Sequence, residues 1–114
     1  MKPSEGSTVI GKSVQLKGDI TGTEELYVDG KIDGTIRLSG SRLIIGPNAE
    51  VNAELYVQDL VVLGRQHGPV EATGRVEIRQ NGELIGDIVA ARFSVEESAS
   101  VRGRISLTGQ DGRG

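Results

Sequence analysis

Three groups of residues in this 114-residue chain have types and spacing that could do chemistry. Gly6-Ser7-Thr8-Val9-Ile10-Gly11-Lys12-Ser13 matches the phosphate-loop pattern G-x-x-x-x-G-K-[ST] at every position. That loop works by leading into a helix whose N-terminal amides hold the phosphates. Here Val14-Gln15-Leu16 instead continues as alternating strand, so no nucleotide is expected. His67 is the single histidine, beside Gly68-Pro69. One imidazole cannot build a His-based metal site, so an exposed, non-ligating His67 is expected. The acidic pairs Glu24/Glu25 and Glu96/Glu97 could suggest acid–base work on glycosides. That chemistry needs two carboxylates facing each other across a cleft, and short repeats without inserted loops offer none. They read as solvated charges that discourage sideways aggregation.

The elements that would carry such residues are narrow ones. Aromatics are limited to one Phe and two Tyr, whereas Gly occurs 17 times. The apolar residues are almost all Val, Ile, Leu and Ala, which suit strands around a slim interior. Thirteen basic and 16 acidic residues are spread along the chain for a net charge of −3. A nucleic-acid binder would instead show a basic face with stacking aromatics. Cysteine is absent, which excludes disulfides and thiolate metal sites and fits a reducing compartment. No apolar run approaches the roughly 20 residues of a membrane-spanning helix.

A repeat organises the whole sequence. The pattern apolar-x-small-x-apolar occurs as Leu16-x-Gly18-x-Ile20, Ile32-x-Gly34-x-Ile36, Val51-x-Ala53-x-Leu55, Gln66-x-Gly68-x-Val70, Leu84-x-Gly86-x-Ile88 and Val101-x-Gly103-x-Ile105. Gln66 is its one departure at an apolar position. Gly18 to Gly103 spans 85 residues over five intervals, a mean period of 17. A second motif, two apolar residues one apart, keeps the same period: Leu26/Val28, Leu43/Ile45, Leu60/Val62, Val76/Ile78 and Phe93/Val95.

Alternation at i, i+2, i+4 is the strand period, and strands this short cannot bury a face alone. Stacked coils solve the problem, because inward rows from successive repeats form one continuous core. Six coils at about 4.8 Å each make a rod roughly 29 Å long. The small residue of each repeat is expected at a tight interior corner, with Asp19, Asp33, Glu54, Asp87, Arg102 and Arg104 pointing out; positive φ at a turn is the alternative for some of the glycines, though not for Ala53. The connection Val28-Asp29-Gly30-Lys31-Ile32 is shorter than Ile45-Gly46-Pro47-Asn48-Ala49-Glu50-Val51. One ragged face and two regular ones are therefore expected.

The order of these motifs resembles the bactofilin family. The similarity lies in Val9-Ile10-Gly11, Gly18-Asp19-Ile20 and Val28-Asp29-Gly30-x-Ile32-x-Gly34-x-Ile36. It continues in Ile45-Gly46-Pro47-Asn48-Ala49, Val62-Leu63-Gly64, Val76-Glu77-Ile78 and Gly86-Asp87-Ile88-Val89-Ala90. The resemblance implies an all-β fold, a right-handed three-sided parallel β-helix, that forms filaments without nucleotide. It also implies a bacterial scaffold, cytoplasmic or at the inner face of the membrane, that positions cell-wall enzymes or other envelope proteins. Family members often touch the membrane through an apolar N-terminal segment; Met1-Lys2-Pro3-Ser4-Glu5 is polar and argues against that contact here.

Assembly also follows from the physics of a stack, whose first and last strands leave backbone groups and apolar rims open. Residues 8–108 are expected to form the β-helix domain, with flexible polar tails at 1–7 and 109–114. Such tails are too short for a capping helix, so the ends are expected to cap each other. The polymerisation interface is assigned to Val9, Ile10, Val14 and Leu16 at one end. Phe93, Val95, Val101, Ile105 and Leu107 are assigned to the other. No catalytic residue, cofactor or metal is expected. The alternative is an adaptor that binds a protein partner on its rod surface without filamenting. An ice-binding surface would need flat threonine arrays, and six scattered Thr do not make one.

Overall fold

The computed structural model describes residues 7–38 and 40–108, and within them every regular element is a strand. The first coil holds β1 (Ser7–Ile10) and β2 (Gln15–Gly22), the second β3 (Glu25–Val28) and β4 (Lys31–Leu38), the third β5 (Arg42–Ile45) and β6 (Glu50–Val57). The fourth holds β7 (Asp59–Val62), β8 (Arg65–His67) and β9 (Val70–Ala72). The fifth holds β10 (Arg75–Ile78), β11 (Glu83–Ile85) and β12 (Ile88–Ala90), and the sixth β13 (Arg92–Val95), β14 (Ser100–Arg102) and β15 (Ile105–Leu107). These six turns stack in parallel as a three-faced β-solenoid.

One face is the six-stranded sheet β1-β3-β5-β7-β10-β13. The other two are a single bent sheet, which the long strands β2, β4 and β6 cross whole and which later coils cross as β8/β9, β11/β12 and β14/β15. Register follows the repeat residue for residue. Leu26 lies on Leu43, Leu43 on Leu60, Leu60 on Val76 and Val76 on Phe93. Leu16, Ile32, Val51, Gln66, Leu84 and Val101 form a second inward row, and Ile20, Ile36, Leu55, Val70, Ile88 and Ile105 a third. Val28, Ile36, Leu43, Leu55, Leu60 and Ile78 are fully buried, each removing roughly 1.5–3 kcal/mol of apolar surface from water.

The small residue of each repeat has a different cause from the expected one. Gly18, Gly34, Gly68, Gly86 and Gly103 take φ between 122° and 143°, a region that side chains disfavour. They are not interior: Gly18, Gly34 and Gly103 are exposed and Gly68 and Gly86 half-buried. A methyl at Gly34, Gly68, Gly86 or Gly103 would strike the carbonyl of the equivalent residue one coil earlier. Backbone stacking at a bend, rather than a narrow interior, selects glycine. Ala53 alone fits the interior reading, since it takes no positive φ and its methyl is buried.

The variation in length also lies elsewhere. All three faces are regular, and the corners between them differ. Asp29–Gly30 and Leu63–Gly64 turn in two residues where Gly46–Ala49 and Arg79–Gly82 use four. Acidic side chains close several corners: Asn48 N–H donates to Asp29 Oδ1 (3.0 Å), Arg75 N–H to Asp59 Oδ1 (2.9 Å) and Arg104 N–H to Asp87 Oδ1 (3.2 Å). Bonds of this kind give corner backbone the partners that the sheets cannot supply.

Candidate assembly surfaces

A solenoid offers two kinds of surface: its ends, where the rows stop, and its sides. At the first end β1 pairs only with β3, and β2 only with β4; at the last, β13, β14 and β15 pair only with β10, β11 and β12. One side of each terminal strand thus lacks a partner strand among the described residues. Burial changes along each row accordingly. In the row Ile10, Val28, Ile45, Val62, Ile78, Val95 the four middle residues are fully buried, while Val95 is 45% exposed. Ile105 and Leu107 end their rows at 42% and 56% exposed, and Phe93 and Val101 are half-buried.

The residues assigned to the joint divide by row. Ile10 is almost buried and Leu16 is 37% exposed, both in inward rows of the first coil. Val14 is exposed at the corner that Ala49 and Ala99 occupy in other coils, and its carbonyl accepts Lys31 N–H at 3.0 Å. Phe93, Val95, Val101, Ile105 and Leu107 all end inward rows of the last coil. Val9 differs: it lies over Tyr27 in an outward row and is 61% exposed on the side. Ile20, half-buried at the start of the row that ends in Ile105, belongs to the first rim. Its place in the repeat Leu16-x-Gly18-x-Ile20 marks it as inward, although it is absent from the residues assigned to the joint.

The sides hold the remaining polar candidates. Gly11, Lys12 and Ser13 of the phosphate-loop match form a turn, and β2 follows rather than a helix; Gly6 lies outside the described residues. Ser7, of the expected N-terminal tail, opens β1; the rest of the expected tails, 1–6 and 109–114, is likewise outside. His67 is exposed in β8. Glu96 is not merely solvated: it accepts Arg79 Nη1 (3.1 Å) and Gln80 N–H (3.0 Å), tying two coils together at a corner. Among the described residues no cluster of His, Asp and Glu could hold a metal ion. On the third face Arg37 lies 4.8 Å over the Tyr56 ring, and Tyr56 donates to Glu54 Oε1 at 3.0 Å. That bond, then the Glu54 charge, holds the phenol above its ordinary pKa. The pairing suits an exposed platform rather than a reacting centre.

The sequence profile of the bactofilin family, described as polymer-forming cytoskeletal, matches residues 8–106. Three relatives come from Myxococcus xanthus (strain DK1622). Bactofilin BacP is 38% identical over 101 residues, which are 89% of this chain and 42% of the relative. Bactofilin BacO is 33% identical over 101 residues, 89% of this chain and 79% of the relative. Bactofilin BacN is 33% identical over 52 residues, 46% of this chain and 45% of the relative. The chain therefore spans less than half the length of BacP, and its match to BacN covers less than half of either protein. No solved structure matches.

Proposed function

This chain belongs to the bactofilin family of polymer-forming cytoskeletal proteins, and from that premise we propose that its two open ends join copies into nucleotide-independent filaments. The observation that carries the proposal is the fate of the inward rows, buried through the middle coils and exposed at Val95, Ile105 and Leu107. A joint that continues the parallel ladder removes this apolar rim from water and pairs backbone groups that an edge strand leaves open. Ile10, Val14, Leu16 and Ile20 form one rim; Phe93, Val95, Val101, Ile105 and Leu107 form the other. Val9, on the side beside the first rim, acts in the joint only if copies also touch laterally.

Filaments of this kind work as a scaffold. The long sides repeat the same charged and polar rows at every copy, so a weakly bound envelope or cell-shape protein gains many equivalent sites along one line. Sedimentation without nucleotide tests the assembly step. Material that pellets above a critical concentration, unchanged by ATP or GTP, is the expected result. A monomer at every concentration would leave the non-filamenting adaptor as the better reading.

A further inference from the structure

The outer surface of the first face carries two rows that differ in kind. One row is charged and alternates in sign from the second coil to the fifth: Glu25, Arg42, Asp59, Arg75. The row beside it is mainly apolar: Val9, Tyr27, Ile44 and Val61, then Glu77. Alternation has a use within the chain, since Arg42 lies 3.6 Å from Glu25. That exposed pair contributes little to stability, and it gives no reason for the apolar row at its side, exposed at Val9 and half-buried at Tyr27, Ile44 and Val61.

From this pattern we infer that the first face docks on the same face of a second copy, with the two rods antiparallel. A two-fold rotation about the strand direction sets charged row on charged row and apolar row on apolar row, while reversing the order of coils. Glu25 then faces Arg75 of the other copy, Arg42 faces Asp59, Ile44 faces Val61, and Tyr27 faces Glu77. These four charges each meet their opposite, while Arg92, which ends the row in the sixth coil, falls on the uncharged Ser7 position. A two-fold rotation about the rod axis instead lays the charged row on the apolar one, which desolvates charge without a partner.

The second face shows why an alternating row is not enough. Lys31, Glu50, Arg65 and Glu83 alternate there too, but the neighbouring row begins at Lys17 and ends at Arg102. The same rotation would bring those two cations together. Of these two faces, only the first pairs opposite charges and apolar side chains at once.

Size sets how the pairing would be seen. Four-residue strands on six coils make a face of roughly 13 by 29 Å, or about 400 Å². A stable complex buries about 800 Å² per partner, so two single copies pair weakly. Rods joined end to end repeat the contact, and the repeats add. The inference rests on the filament reading for its strength and not for its geometry.

The chain has no cysteine, so Tyr27→Cys and Glu77→Cys give unique thiols. The two proteins are mixed in equal amounts, treated with a short bis-maleimide and mapped by mass spectrometry. The expected product joins position 27 of one copy to position 77 of another, in several-fold excess over 27–27 and 77–77. Adding Arg42→Gln to both proteins is expected to cut it several-fold with circular dichroism unchanged. A 27–27 excess, a mixed product no more abundant than the others, or no product at all would overturn the pairing. Pelleting in parallel separates the two proposals. A mixed product without filaments upholds the pairing and removes the filament; filaments without a mixed product do the reverse.

Discussion

Gln66 stands fully buried in an otherwise apolar row, and its cause is a proline three residues on. Leu55 lies on Val70, and Leu55 N–H donates to the Pro69 carbonyl at 3.0 Å. The next ladder donor toward Ala53 O would be the N–H of residue 69, which proline lacks. Gln66 Nε2 reaches Ala53 O at 2.9 Å and fills the gap, leaving its own Oε1 without a partner. Gln66→Leu should therefore be better tolerated by about 1 kcal/mol in a Pro69→Ala background than alone, read as the coupling in a double-mutant cycle of denaturant unfolding. The glycine bends give a second residue-scale expectation. Gly86→Ala combines a φ of 143° with a clash against the Gly68 carbonyl and should cost at least about 2 kcal/mol. Gly11→Ala meets open space and should stay within about 0.5 kcal/mol. Gln66 was visible in the sequence as an exception, but its reason was not. The reason is a missing hydrogen on a residue in another row, and no one-dimensional pattern pairs the two. The glycines were legible as positions and misread as to cause, because interior crowding and a stacked bend leave the same small residue behind.

Among the elements, every inward pair named from the sequence stacks on the next, its two members in two adjacent inward rows, because parallel coils of similar length leave register no other choice that keeps both motifs inside. The corners were less legible. Their compositions marked turns and their spacing gave short and long forms, but not what closes them, such as Asp29 binding Asn48 one coil on. Position within a row separates stability from assembly. Val62 and Val95 share a row, one fully buried and one 45% exposed. Val62→Ala should destabilise the dilute monomer by about 2 kcal/mol. Val95→Ala should cost the monomer no more than about 0.5 kcal/mol and raise the critical concentration for pelleting. Val9 shows the limit of reading a rim from sequence. It is apolar and near the first end, and only its pairing over Tyr27 tells that it points out, whereas the repeat itself marks Ile20 as inward.

At the scale of the whole molecule, the proposed end-to-end joint and the proposed side pairing should answer differently to salt. An end-to-end joint of apolar rows and backbone ladders has little to screen, whereas charge pairing between sides weakens as the Debye length falls from about 10 Å at 0.1 M to about 3 Å at 1 M. Raising salt across that range should part paired filaments into single ones, seen as a change in width without loss of pelleted mass. The most direct test of the central claim is negative-stain microscopy of the protein beside Phe93→Arg, without nucleotide. Phe93 closes the row that begins at Thr8 and runs through Leu26, Leu43, Leu60 and Val76, so a cation there sits at the last rim. The account predicts filaments in the unmodified protein and none in Phe93→Arg, with the β-sheet circular dichroism of the two alike. Filaments of equal length and number in both would contradict a joint through the last coil.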